Sequence, residues 1–129
     1  MVNYNYAPDG FYFVTIVANY RKNYFKDKRE EVHLELEDLL RNTPGVELDY
    51  FVVMPNHVHI IFVLRGSRLR LGEIVRRFKS KVSHRFGINI WQPNYYEHVI
   101  RNEKALEKIR EYIVNNPQEL LMEFESFYK

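Results

Sequence analysis

Two strand-like segments joined by a Pro-Asn turn constrain this chain more than any other feature. Between Val46 and Met54, the apolar residues Val46, Leu48, Tyr50, Val52 and Met54 alternate with Glu47 and Asp49, the period of a half-buried strand. Pro55-Asn56 supplies a tight turn, and His57 to Leu64 then runs apolar on both faces beyond its histidines. The pattern predicts an antiparallel hairpin in mid-chain whose second strand sits centrally in a sheet.

The flanking segments complete a recognisable order. Phe11 to Ala18 is aromatic and β-branched with no helical spacing, which predicts a buried strand. Asp27 to Asn42 places Val32, Leu36, Leu39 and Leu40 at helical intervals among charges and stops at Thr43-Pro44-Gly45. Leu71, Ile74, Val75, Phe78, Val82 and Phe86 form an amphipathic stripe, so a second helix is expected from Ser67 or Arg68 to about Phe86, ended by Gly87. Trp91 to Ile100 reads as a loop and a short strand, Glu103 to Asn116 as a third helix stopped by Pro117, and Gln118 to Lys129 as a helical tail. The order β-α-β-β-α-β-α is that of an α+β, ferredoxin-like split β-α-β-β-α-β antiparallel sheet, both main helices on one face, with a C-terminal helix added. At 129 residues, with no Gly/Ser/Pro-rich linker, the chain is expected to form one domain over 1–129.

Such a fold hosts many functions, so the residues must discriminate. No apolar run approaches the roughly 18 residues of a membrane span, and Met1-Val2-Asn3-Tyr4 lacks the basic-then-apolar layout of a signal peptide, which predicts a cytoplasmic protein with no membrane partner. With no cysteine, any metal must rest on imidazole and oxygen ligands. There is neither a phosphate-cradling glycine loop nor a dinucleotide fingerprint. The net charge of +2 is uninformative, but its distribution is not: between Arg65 and Arg85 eight Lys/Arg residues accompany one acid, Glu73.

His57 and His59 stand two apart on a strand, so both imidazoles share one face and could bind one cation; two hydrogen-bonded structural histidines are the plainer alternative. Tyr112 and Asn116 lie four apart on the third helix and point the same way, or else serve as a core aromatic and a helix-end residue. Arg70, Arg77, Lys81 and Arg85 form a row on the second helix, suited to DNA phosphates or simply a solvated face. Trp91 and Tyr95 or Tyr96 could stack on bases, although buried aromatics are commoner. Glu97 and His98 are candidates for a general base, for support of the ligands, or for structural strand positions.

Taken together, Val53-Met-Pro-Asn-His-Val-His59, Trp91-Gln92, Tyr95-Tyr-Glu-His98 and Tyr112-Ile-Val-Asn-Asn-Pro117 resemble the single-tyrosine HUH transposases of small bacterial insertion sequences, with REP-associated tyrosine transposases the nearer branch. The similarity runs from about Phe11 to Pro117 with the motifs in the family's order. It implies a metal-dependent transposase/endonuclease that cleaves and rejoins single-stranded DNA through a covalent 5′-phosphotyrosine intermediate. Tyr112 would be the nucleophile, and His57, His59 and Asn116 the ligands of Mg²⁺ or Mn²⁺. Insertion-sequence members usually carry Gln at the position of Asn116, and Asn fits the REP-associated branch. The implied DNA partner contains a hairpin or palindromic element. Insertion-sequence enzymes imply a homodimer with shared active sites, whereas REP-associated relatives can act alone. A neutral donor set of two imidazoles and an amide would leave the cation's full charge facing a phosphate.

Two other readings compete. A non-catalytic nucleic-acid-binding domain would use its aromatics on bases and would not need Tyr112. A nuclease that attacks with water would leave no protein on its product.

Overall fold

The computed structural model describes residues 8–118. Four strands, β1 (Gly10–Val17), β2 (Val46–Met54), β3 (His57–Leu64) and β4 (Tyr96–Ile100), form one antiparallel sheet in the order β2-β3-β1-β4. Three helices, α1 (Arg29–Arg41), α2 (Leu71–Phe86) and α3 (Glu103–Asn115), complete the α+β arrangement read from the pattern. β3 is interior and every one of its residues is buried, as its two-sided apolar run required.

Each face of the sheet has its own core. Val14, Ile16, Val58, Ile60, Phe62 and Leu64 pack against Val32, Leu36 and Leu39 of α1 and Leu71, Ile74, Val75, Phe78 and Val82 of α2. On the opposite face Phe13, Ile61 and Ile100 meet Leu106 and Ile113 of α3, with Ala105, Ile109 and Tyr112 at the margin. The pleat therefore divides β1 and β3 residue by residue between two different helical layers.

Strict alternation fails in β2. A bulge at Asp49 shifts the register between Leu48, opposite Phe62, and Tyr50, opposite Ile61. The parity of the strand reverses there: Val46 and Leu48 join the α1/α2 core, as expected, but beyond the bulge it is Phe51 and Val53 that do so. Val52 turns instead to the α3 core, opposite His59.

Helix ends also differ from expectation, for local reasons. α2 starts at Leu71 rather than Ser67 or Arg68, because the Ser67 hydroxyl donates to the Leu69 carbonyl at 2.8 Å and accepts from the Leu69 N–H at 3.2 Å, closing a side-chain turn that competes with helix. Gly87, at φ 77°, supplies its left-handed C-cap. α1 spans a slightly shorter stretch than Asp27 to Asn42 and hands over to β2 through Gly45, at φ 86°, where a Cβ would lie 2.8 Å from the Arg65 carbonyl oxygen. α3 begins under the Asn102 side chain, which accepts from the Ala105 N–H at 2.8 Å. The expected helix beyond Gln118 lies outside the described residues. Among the described residues, no helix is long and apolar enough to cross a membrane.

Candidate active site

The Pro55-Asn56 turn delivers His57 and His59 to the α3 face of the sheet, fully buried, with ring centroids 4.7 Å apart and planes at 76°. Their neighbours on this face follow from register: Val17 opposite His57 and Thr15 opposite His59 on β1, with Tyr96 opposite Thr15 and His98 opposite Phe13 on β4. Phe13 packs beside His59 with centroids 5.4 Å apart.

Each ring is held by one specific partner on its Nδ1 side. His57 Nδ1 lies 2.7 Å from Asn56 Oδ1, and His59 Nδ1 lies 2.8 Å from the Thr15 hydroxyl. His57 Nε2 is buried and has no hydrogen-bond partner among the described residues. His59 Nε2 instead donates to the Pro117 carbonyl at 2.8 Å. Burial pushes His57 down to about 3, assisted by the adjacent His59, and burial likewise pushes His59 down to about 4, with the Pro117 carbonyl opposing both shifts. Both rings are thus neutral near pH 7, the form that can bind a cation.

α3 carries Tyr112 onto the same face. The ring is half-buried against the cluster that contains Phe13, Ile61 and Ile113, of which Phe13 in turn packs beside His59. The helix is fastened across the sheet by Arg110, which forms a two-point ion pair with Asp49, the residue that the β2 bulge exposes to it. Asn116 departs from the expected position on the helix face. α3 stops at Asn115, and Asn116 is an exposed C-cap at φ −144°, ψ 54° whose N–H donates to the Tyr112 carbonyl at 2.7 Å. The cause is Pro117, whose ring disfavours helical backbone in the residue before it. Tyr112 and Asn116 are therefore joined through the backbone turn, and it is the Pro117 carbonyl that accepts from His59.

The donors available suit a hard or borderline divalent cation. Among the described residues no cluster of three His, Asp or Glu side chains converges, so two imidazoles would need oxygen from an amide, a carbonyl, water or a phosphate. The bare, buried Nε2 of His57 fits such a role, since an unsatisfied acceptor in this position costs stability unless something binds it.

The other singled-out residues separate. Arg77 pairs with Glu73 at 3.2 Å, while Lys81 pairs with Asp38 and Arg85 with Glu35 at 3.0 Å, linking α2 to α1. This row, with Arg70 capping α2, belongs to the helical layer across the sheet from the histidines. Trp91 is a core residue: it is 3 % exposed, stacks near Phe25 at 4.8 Å and donates from Nε1 to the Lys79 carbonyl at 2.9 Å. Tyr95 packs against the same core. Glu97, opposite Val14, shares the α1/α2 face and raises Tyr12 and Tyr95, whose main perturbation is burial. Of the Glu97–His98 pair only His98 shares a face with His57 and His59.

Sequence reasoning missed Thr15, Pro117 and the part played by Asn56. Thr15 carried a signal, as the one aliphatic hydroxyl within the apolar run Phe11 to Ala18.

A helix-borne tyrosine and a buried histidine pair share one face of a split β-α-β sheet, and comparison names the family. Residues 9–116 match the IS200-like transposases, and the chain belongs to that family. It is 34% identical over 162 aligned residues to an uncharacterised protein of Haemophilus influenzae, covering 98% of this chain and 89% of the relative. A REP-associated tyrosine transposase of Escherichia coli is 31% identical over 114 residues, 87% of this chain and 68% of the relative. The structure of a REP-associated tyrosine transposase bound to a REP hairpin superposes with a TM-score of 0.78 at 30% identity, covering 92% of this chain and 74% of that one.

Proposed function

We propose that this transposase-family chain cleaves and rejoins single-stranded DNA through Tyr112, with His57, His59 and Asn116 holding one Mg²⁺ or Mn²⁺. The observation that carries the reading is the placement of α3: it sets Tyr112 on the sheet face where His57 presents a buried Nε2 that has no hydrogen-bond partner among the described residues. Bound there, the cation would supply polarisation of the scissile phosphate.

The chain's own residues do the rest. The Tyr112 oxygen forms a bond to the 5′-phosphate while the bond from phosphorus to the preceding nucleotide's 3′-oxygen breaks, and that oxygen leaves as a 3′-hydroxyl after taking up a proton. Attack by another 3′-hydroxyl reverses the exchange and restores the phenol, so no nucleotide cofactor is consumed. A base must take the Tyr112 proton as the oxygen attacks; His98, on the correct face, is the better placed of the two candidates. A hairpin-containing single strand is the proposed substrate, in keeping with the REP hairpin held by the similar structure. Contact of Arg70, Arg77, Lys81 and Arg85 with phosphates is part of the proposal, in competition with the carboxylates that three of them already hold.

The test is denaturing gel electrophoresis after incubation with labelled single-stranded hairpin DNA and Mn²⁺. Wild type should form a covalent adduct, and Tyr112→Phe, which loses one oxygen but keeps the ring, should form none. A persistent adduct in Tyr112→Phe would move the nucleophile elsewhere. Metal-dependent cleavage without any adduct would favour attack by water.

A further inference from the structure

His57 and His59 hold opposite tautomers. The Asn56 side-chain oxygen can only accept, so His57 carries its proton on Nδ1 and its Nε2 lone pair is bare. A carbonyl too can only accept, so His59 carries its proton on Nε2, directed at Pro117, and its Nδ1 accepts from the Thr15 hydroxyl. Only one of the two rings is therefore set to offer Nε2 to a cation.

Ligation by His59 Nε2 requires its proton to reside on Nδ1, where an acceptor must meet it. Thr15 is 1 % exposed, sits opposite His59 in the β1/β3 register and has its oxygen 2.8 Å from Nδ1. A hydroxyl can donate or accept, which an amide oxygen or a carbonyl cannot do. A strand position this buried would otherwise favour Val, whose shape is similar and which buries no polar atom.

We propose that Thr15 is a positioning residue for the metal site: its hydroxyl donates to His59 Nδ1 in the metal-free protein and turns to accept from Nδ1–H when Pro117 withdraws and Nε2 takes a ligand role. The exchange is a tautomerisation, with the Nε2 proton lost to water and one regained at Nδ1, so the imidazole stays neutral throughout. Metal-ligating histidines are ordinarily oriented by such a partner on the other ring nitrogen, and its loss weakens metal binding about 10–100-fold. Asn56 fills that place for His57 in advance; Thr15 fills it for His59 on demand.

This inference rests on the metal reading, and the experiment separates the two. Nitrogen-15 long-range correlation spectra of the metal-free protein at pH 7 should show His57 protonated on Nδ1 and His59 on Nε2, and Zn²⁺ as a diamagnetic probe should bring both to Nδ1–H. Titration calorimetry with Mn²⁺ should show Thr15→Val weakened about 10–100-fold and Thr15→Ser restored to within about threefold of wild type, with all three equally folded by circular dichroism. Identical tautomers in the metal-free protein, unchanged Mn²⁺ binding in Thr15→Val, or Thr15→Ser as weak as Thr15→Val would each overturn the role of Thr15 alone. Wild type that binds neither ion would overturn the metal reading, and this inference with it.

Discussion

The ring of His59 donates from Nε2 to the Pro117 carbonyl at 2.8 Å, a contact spanning 58 positions of the chain that ties the end of the Tyr112 helix to the histidine pair. It makes the stability of α3 and the state of the histidines parts of one system, with consequences that can be measured.

Stability of the metal-free protein should fall on acidification in a defined window. His57 and His59 are depressed to about 3 and about 4 in the folded protein, against roughly 6.5 when unfolded. Below 6.5 the unfolded chain takes up protons that the folded one refuses, so their contribution is complete above that pH, is lost progressively as pH falls from there, and is gone once pH has passed through 4 to about 3. Urea unfolding in the presence of a chelator should show a decline on the order of a few kcal/mol across this window. A His57→Gln, His59→Gln variant should flatten it; an equal slope in wild type and variant would show that other groups control acid unfolding.

Arg110→Ala should loosen α3. Asp49 keeps only 12 % of its side-chain surface exposed, so removing its partner strands a carboxylate against the sheet at a cost of about 1–3 kcal/mol. Thermal unfolding and amide exchange of α3 report this. Adding Asp49→Asn to the same variant should recover part of the loss, and no recovery would mean that Arg110 acts through its aliphatic stem.

The α2 row distinguishes ion pairing from DNA contact. Replacing Arg70, Arg77, Lys81 and Arg85 together by Ala should weaken binding of single-stranded hairpin DNA and flatten its dependence on salt, while the lost surface pairs cost at most about 1 kcal/mol each. Fluorescence anisotropy over a salt series measures both quantities. Unchanged affinity and slope would leave Lys81 and Arg85 as braces between α1 and α2.

Trp91→Ala should act on folding first. The indole is buried between Phe25 and Phe78, with ring distances of 4.8 Å and 5.9 Å, so truncation should cost about 3–5 kcal/mol. Chemical denaturation checks the loss. A variant of native stability that fails to bind DNA would restore the base-stacking alternative.

Periodicity in the chain carried most of the fold. The alternation from Val46, the apolar run of β3, the α2 stripe and the Tyr112-to-Pro117 motif are local patterns, and each depends only on the geometry of the element that bears it. For the same reason the shared face of His57 and His59 could be read from their spacing by two. What spacing could not convey is anything set by contacts between distant segments. The bulge at Asp49 reverses the parity of half a strand and brings its carboxylate to Arg110 of α3, a pairing across 61 positions. Pro117 unwinds Asn116 from the helix face and turns its own carbonyl toward His59, and Thr15 becomes a partner of that ring only through the β1/β3 register. Local sequence determined which face most residues occupy, with β2 beyond its bulge and Asn116 as the exceptions. Tertiary structure decided which atoms meet across that face, because a hydrogen bond needs two groups within about 3 Å, a separation that only the packed chain sets.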